Sequence, residues 1–405
     1  MRILQINVTS NWGSTGHIVE DIGNLIQKSG DESYISFGRY AYPSKSQIIK
    51  IGTKKDIYIH VLQTRLFDKH GLASKKATKE LIKEIINIKP NIIHLHNIHG
   101  YFLNYTILFE FLSNLDIPIV WTLHDCWAYT GHCAYYTFAG CNRWKTGCHH
   151  CPQKNSYPSS YFLDRSKKNY SDKKEAFTSI KNMTIVPVSN WLSEEVKQSF
   201  LNKYPIKVIS NGIDFNIFRP QIIDKKEFGL ENKFVILGVA SIWEKRKGLN
   251  DFIHLRTILP PNYIIVLIGL SQKQINKLPQ GIIGIKRTSN VQELAKYYSI
   301  ADVYINFSVE ETFGMTTCES LACGTPVIVY NSTACPEIVS NETGYVVEVG
   351  DFDNVVRKIK EIEILGKNKF KNICHKRALR LFNKEDKYNE YLNLYKILLN
   401  KNIEQ

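Results

Sequence analysis

Residues 303–330 leave the chain few choices of fold. Residues 303–307 form a short apolar run of strand type, and residues 308–314 a loop. A helical pattern starts at about Met315, Gly324-Thr325-Pro326 turns the chain, and Val327–Tyr330 is a second apolar run. Two buried strands joined through a helix make one right-handed crossover of a parallel sheet, so the chain is α/β. Gly324 stops the helix and Pro326 keeps the turn from becoming helical. The chemistry sits at the front of that helix. Its first amides, near Gly314, Met315 and Thr316, have no partner within the helix and lie at the positive end of its dipole, which favours a phosphate. Glu311 and Glu319 flank this position. An ionised carboxylate accepts two hydrogen bonds from a diol, so the segment suits a phosphorylated sugar. Two solvated glutamates at a helix start are the plainer reading of the same residues.

The longer string SVEETFGMTTCESLACGTPVI, preceded by ADVYINF, resembles the signature of the retaining glycosyltransferases of family GT4, which have the GT-B fold. Ser308, Glu311, Phe313-Gly314, Glu319 and Gly324-Thr325-Pro326-Val327 carry the resemblance. It implies that Glu319 holds the ribose hydroxyls of a donor nucleotide. It also implies that Glu311 and the Phe313, Gly314, Met315 and Thr316 backbone face the transferred sugar and its diphosphate.

Residues 241–248, SIWEKRKG, bring Lys245, Arg246 and Lys247 to a strand end before a helix. Clustered cations there stabilise a leaving diphosphate. GT4 relatives use an arginine and a lysine, the lysine just before a glycine, which Lys247-Gly248 matches. The arginine expected five residues earlier is absent, because position 242 is Ile, and Arg246 or Lys245 is the substitute. A solvated charge run is the alternative.

The N-terminal half repeats the alternation of strand and helix. A strand over residues 1–8 leads to a loop with Gly13 and Gly16, then a helix with Ile18, Ile22, Leu25 and Ile26 at helical spacing. Ser14 or Thr15 can cap that helix. The resemblance places this loop near the diphosphate, with Gly16 as the contact. His94, His96 and His99 cluster at the end of a strand starting at Ile92, where open sheets collect ligands; polar lining of a cleft and a metal site are both open to them. The next strand, 118–123, ends in His124-Asp125, and the resemblance puts His124 close to the transferred sugar. Residues 31–60 are not diagnostic, and residues 154–182 read as a basic surface helix or connection.

Five of the nine cysteines fall in residues 126–151, CWAYTGHCAYYTFAGCNRWKTGCHHC. Cys133, Cys141, Cys148 and Cys151 end in a C-x2-C knuckle and could form a structural zinc site, with His132, His149 or His150 in place of one thiol. Buried unliganded thiols are the other reading, and disulfides suit a reducing compartment poorly. A similar insert occurs in bacterial polysaccharide glycosyltransferases that resemble colanic-acid and capsule enzymes.

The chain carries 52 basic and 38 acidic residues, a net charge of +14. That suits phosphates or the anionic membrane face that displays a lipid-linked acceptor. A genome biased toward Lys, Asn and Ile would produce it as well. No nucleic-acid module is recognisable. The N-terminus reads as a strand and not a leader, and no apolar run approaches the ~20 residues of a membrane span. A cytoplasmic protein, peripheral on the inner face of the cell membrane, is expected.

The expectation is therefore a GT-B protein of two doubly wound Rossmann-like domains facing an interdomain cleft. Residues 1–203 form the acceptor-side domain with its Cys-rich insert at 126–151, and residues 204–375 the nucleotide-sugar domain. Residues 376–405 form a helix returning to the first. The implied reaction transfers a sugar from a nucleotide-diphosphate donor to a glycan or lipid-linked acceptor in surface polysaccharide synthesis, with retention and with no metal required. A zinc-stabilised, non-catalytic GT-B partner and a GT-B phosphorylase or epimerase are the rivals.

Overall fold

The computed structural model describes residues 1–403, with side chains to Asn400; the last two residues of the expected 376–405 tail lie outside the described residues. By internal contacts the chain divides into two compact units, residues 1–210 with the segment from Glu385 onward, and residues 211–384.

In the first unit the elements run β1 (Arg2–Asn7), α1 (Gly13–Lys28), β2 (Glu32–Phe37), β3 (Gln47–Lys50), α2 (Lys54–Phe67), α3 (Lys75–Ile88), β4 (Ile92–Leu95), α4 (Tyr105–Leu112), β5 (Ile119–Leu123), α5 (Ser166–Phe177), β6 (Met183–Pro187) and α6 (Asn190–Lys197). Six parallel strands stand in the order β3-β2-β1-β4-β5-β6. The central strands are buried because helices cover both faces of a parallel sheet, and they are mostly apolar, with Gln5, Asn7, His94 and Thr122 as buried polar exceptions. Residues 206–209 form no strand and add only a single bridge, Ile185 to Ile206.

The second unit runs β7 (Phe234–Val239), α7 (Leu249–Ile258), β8 (Tyr263–Ile268), α8 (Gln272–Ile275), β9 (Ile282–Ile285), α9 (Val291–Ile300), β10 (Val303–Asn306), α10 (Met315–Ala322), β11 (Val327–Tyr330), α11 (Cys335–Ile338), β12 (Gly344–Val347), α12 (Phe352–Leu365) and α13 (Lys367–Phe382). Its parallel sheet has the order β12-β11-β10-β7-β8-β9. Counted from its own first strand, this is the same winding as in the first unit. In each sheet the chain order reverses between two adjacent strands, β1 and β4 in one and β7 and β10 in the other. The loops after such strands part to opposite faces and leave a crevice at the strands' carboxyl ends.

α14 (Lys384–Ile403) belongs to the first unit apart from its first residue. Tyr388, Tyr391, Leu394 and Tyr395 join the core of β1, α1, β4 and β5 side chains, among them Ile3, Ile22, Ile92 and Val120. The tail is not one helix: Asn383, with extended backbone, separates α13 from α14.

Candidate active site

In the second unit the reversal point sets the loop after β7 beside the loop after β10. Gly248 makes the approach possible. Its φ is +73°, and a Cβ there would lie 2.4 Å from Phe307 Cβ and 2.5 Å from Phe307 O, so only glycine fits. The neighbouring Lys247 then reaches Glu311, and the two form a largely enclosed ion pair. Ser308 Oγ donates to the same carboxylate at 3.1 Å. Arg246 turns inward too, donating to Glu310 O at 2.9 Å and pairing with Glu244 at 3.3 Å, whereas Lys245 and Ile242 face solvent. Burial pushes the Glu311 carboxyl up, but Lys247 and then Arg246 outweigh it, and the net shift is downward.

The Glu311 loop is braced from the strand beyond. Thr333 Oγ1 accepts the Glu311 N–H at 2.8 Å, Ala334 N–H donates to Glu311 O at 3.2 Å, and Ser332 Oγ donates to Val309 O at 2.7 Å. Thr333 holds φ +50°, a left-handed conformation costly for a β-branched residue, and the surrounding bonds maintain it. Asn306 ties the loop to the helix: Oδ1 accepts from Ser308 N at 3.0 Å and Nδ2 donates to Thr317 Oγ1 at 3.1 Å. Thr333, Asn306 and Tyr298 were not among the residues singled out from sequence as functional. Asn306 ends β10, Thr333 follows β11 and Tyr298 lies in the last turn of α9, so no single sequence signal marks the three.

Gly314, with φ +101°, caps α10, and the first helical bond runs from Thr317 N–H to Gly314 O at 3.0 Å. The Gly314, Met315 and Thr316 amides thus precede the helical ladder. Phe313 is buried with its ring 5.6 Å from Phe382, and Tyr304 OH donates to Thr316 Oγ1 at 2.7 Å. Glu319 stands about one turn along the helix from Met315. Tyr298 OH donates to its Oε2 at 2.9 Å, and burial raises its carboxyl to about 7 against that hydrogen bond. One carboxylate is therefore held ionised and the other near its midpoint at neutral pH. The structure brings Arg246, Lys247, Glu311, Phe313, Gly314, Met315, Thr316 and Glu319 together at one sheet edge.

Gly16 and His124 belong to the first unit. Gly16 is not in the loop: α1 begins at Gly13, with Trp12 as its N-cap and no side-chain cap from Ser14 or Thr15. Thr9 Oγ1 donates to Trp12 O at 2.8 Å and closes the loop early. A Cβ on Gly16 would lie 2.8 Å from Thr9 Oγ1, so glycine lets the first helical turn rest on that loop. His124 follows β5 with Nε2 3.3 Å from His96 Nδ1, and burial lowers it to about 4, so it is a neutral imidazole at pH 7. The other histidines are engaged: His94 with Tyr395 OH at 2.6 Å and Thr122 Oγ1 at 2.8 Å, His96 with Gln5 Oε1 at 3.1 Å, and His99 with Asp125 Oδ2 at 2.8 Å and Tyr157 OH at 2.9 Å.

In the Cys-rich insert Tyr129 and Trp144 are almost wholly buried with ring centres 5.1 Å apart, and Trp127 is buried against Tyr105 and Phe177. Lys173 of α5, expected on the surface, is buried beneath it; Nζ donates to Trp127 O at 2.7 Å and Thr130 O at 3.0 Å and lies 3.5 Å from the Trp127 ring centre. His132 Nδ1 meets buried Asp68 at 2.6 Å, and Gly131 N–H donates to Cys148 Sγ at 3.1 Å. Cys133, Cys141, Cys148 and Cys151 are free thiols, and among the described residues no group of three or more His, Cys, Asp or Glu is placed to hold a metal ion. The zinc expectation gains no support.

Comparison with known proteins agrees with this architecture. Residues 18–216 match the family described as Glycosyltransferase Family 4, and residues 220–379 the family Glycosyl transferases group 1. The chain is 25% identical over 371 residues to the putative colanic acid biosynthesis glycosyl transferase WcaC of Escherichia coli K12, covering 85% of this chain and 86% of that one. It is 26% identical over 234 residues to the capsular polysaccharide biosynthesis glycosyltransferase CapM of Staphylococcus aureus, covering 51% of this chain and 62% of that one. Among solved structures, sucrose-phosphate synthase from Thermosynechococcus elongatus superimposes with a TM-score of 0.73 at 15% identity over 99% of both chains. Anabaena HepE in complex with UDP gives 0.66 at 14% identity over 98% of this chain and 100% of that one. The fold is thus GT-B, and no helix among the described residues is long and apolar enough to cross a membrane. Two family matches laid end to end, over residues 18–216 and 220–379, make this chain a glycosyltransferase of the GT4 type.

Proposed function

We propose that the enzyme transfers a sugar, with retention at the anomeric carbon, from a nucleotide-diphosphate donor to a hydroxyl of a glycan or lipid-linked acceptor in surface-polysaccharide synthesis. The observation that carries the reading is the Lys247–Glu311 pair beside the Gly314-capped start of α10. A lysine beside unsatisfied helix amides suits a diphosphate whose charge grows as it leaves. Arg246 takes the part of the missing arginine. Glu319 accepts the ribose hydroxyls, and Glu311 together with the Phe313–Thr316 backbone faces the sugar. His124 and Gly16 are assigned on the family resemblance, His124 as a neutral hydrogen-bonding partner of the sugar and Gly16 as a close backbone approach to the diphosphate.

In the proposed step the acceptor oxygen attacks the anomeric carbon from the face that the diphosphate leaves. The C–O bond to phosphate breaks as the new glycosidic bond forms, and the acceptor proton passes to the departing phosphate oxygen. Lys247, Arg246 and the α10 amides stabilise that oxygen. The relatives named for colanic acid and capsule synthesis support the pathway, and HepE, whose complex holds UDP, supports a nucleotide donor. A lipid-linked acceptor would work at a membrane face, which the net charge of +14 favours.

The test is a screen of UDP-, GDP- and ADP-sugars by thermal shift, then donor hydrolysis and transfer by the wild type and by Glu311→Ala and Glu319→Ala. A ligand at 100 times its Kd adds about 2.7 kcal/mol. Loss of turnover in the Glu311 variant and weakened nucleotide binding in the Glu319 variant are expected. Turnover surviving both changes refutes the assignment, and conversion of the donor's sugar to its epimer with no acceptor present points to an epimerase.

A further inference from the structure

α2 of the first unit is built inside out. Its buried positions are His60 and Thr64, whereas Tyr58, Ile59, Leu62 and Phe67 are exposed, Tyr58 by 73%. Tyr58 and Leu62 are four residues apart and Ile59 and Leu62 three, so these three share one stripe, and Phe67 is exposed on another side at the end of the helix. The polar face is held by His60, which reaches Ser74 Oγ at 2.8 Å and accepts the Gly71 N–H at 2.9 Å, and by the Thr64 hydroxyl, which donates to His60 O at 2.9 Å. The orientation is therefore fixed by hydrogen bonds. A second apolar segment lies alongside: Tyr161 N–H donates to Arg65 O at 2.8 Å, the Arg65 guanidinium lies 5.8 Å from the Tyr161 ring centre, and residues 161–163, Tyr-Phe-Leu, are exposed, Phe162 by 70%. Two elements thus give one apolar patch.

Its border is cationic. Lys54 and Lys55 open α2, Arg65 lies within the patch, and Lys69 sits 5.7 Å from the Phe67 ring centre. The acids nearby are occupied: Asp56 is the sole acid of α2 and closes the capping box on Thr53, and Asp164 accepts from Cys151 N at 2.6 Å and Ser166 N at 2.9 Å. Aromatic and aliphatic side chains that enter the headgroup boundary, ringed by lysines, match an anionic bilayer surface. A second copy presenting the same patch would set these cations against each other.

We infer that the stripe on α2 and residues 161–163 form the surface by which this enzyme lies on an anionic membrane. This deepens the membrane-face reading above and rests on it. The test is sedimentation of the full chain with vesicles of phosphatidylcholine, and with vesicles of phosphatidylcholine and phosphatidylglycerol in equal parts. The wild type should pellet with the anionic vesicles. Raising salt from about 0.1 to about 1 M, which shortens the screening length from ~10 to ~3 Å, should weaken that binding. Tyr58→Ser/Leu62→Ser/Phe162→Ser should lower vesicle affinity roughly tenfold or more while keeping the melting temperature and the shift produced by UDP. The proposal fails if the wild type ignores both vesicle types or if the triple variant binds like it. It fails also if the patch instead drives lipid-free self-association that the triple variant abolishes. Vesicle binding without any response to nucleotide sugars would refute the donor reading and leave the patch standing.

Discussion

Replacing Lys247 by methionine keeps the length of the side chain and removes its charge. The Lys247 and Glu311 side chains are 15% and 16% exposed, so the pair is mostly out of water. Breaking a buried pair from one side costs about 3–5 kcal/mol, because the partner is left charged and uncompensated. Here Arg246 and the Ser308 hydroxyl still favour the Glu311 carboxylate, so the lower end applies, about 3 kcal/mol at pH 7. The second unit spans 174 residues (384 − 211 + 1), for which each kcal/mol moves the midpoint by roughly 2–4 °C. Its transition should fall by about 6–12 °C in scanning calorimetry of the full chain. Adding Glu311→Gln removes the stranded charge, so the double variant should be more stable than the sum of the single changes implies, with a coupling of about 2 kcal/mol. The pH dependence has a definite sign. Glu311 is depressed in the folded chain, so its stabilisation is complete above the unfolded carboxyl value of ~4.3 and is lost as pH falls through the lower folded value. The gap between wild type and Lys247→Met should therefore shrink below about pH 4.3. Additive single effects, or a gap that widens on acidification, would refute this account of the pair.

Three further outcomes are expected. Glu319 is raised to about 7, so if its ionised form accepts the ribose hydroxyls, affinity for the nucleoside diphosphate found by the donor screen, measured by calorimetry, should rise about tenfold per pH unit below 7 and level off above; Glu319→Gln, which retains only the ligand's own titration, should lack that component. The same raised carboxyl favours the protonated folded state, so its contribution to stability declines as pH climbs from ~4.3 through 7. Gly248→Ala combines a left-handed backbone with a clash against Phe307 and should cost about 2–4 kcal/mol in thermal unfolding, together with most of the turnover. Tyr395→Phe leaves His94 Nδ1 without its hydroxyl partner and should destabilise the first unit by about 1–3 kcal/mol in a urea melt, with nucleotide binding unchanged.

The sequence was most readable where one periodicity ran uninterrupted. β11 coincides with the apolar run Val327–Tyr330, β4 starts at Ile92 and α10 at Met315, as their patterns imply. Residues 31–60 were not diagnostic, and for the part in α2 the reason is physical: the helix buries a histidine and a threonine and exposes apolar side chains, so periodicity points the wrong way. The α1 boundary was missed because a threonine hydroxyl outside the helix, rather than a capping side chain, closes the preceding loop. Lys173 read as surface because its compensation, two carbonyls and an indole face, comes from a segment some 40 residues earlier. At the site, Glu311, Glu319, Lys247 and the Gly314 turn were visible as a string. The choice of Arg246 over Lys245 and the support from Thr333 depend on which way each loop turns, and linear spacing does not encode that.

The chain passes from one unit to the other twice, after Ser210 and after Lys384. The two passages run side by side: Ile213 N–H donates to Phe382 O at 2.7 Å, Lys384 Nζ meets Asp214 Oδ2 at 2.7 Å, and a Cβ on Gly212 would lie 2.3 Å from Lys384 Cα. In genetic terms the second unit is spliced into the first as a cassette. A fragment stopping at residue 210 would leave the aromatic face of α14 behind and lack part of its own interior. A recombinant in which residue 210 is joined by a short linker to residue 385 would restore it, because the two cut ends are already neighbours.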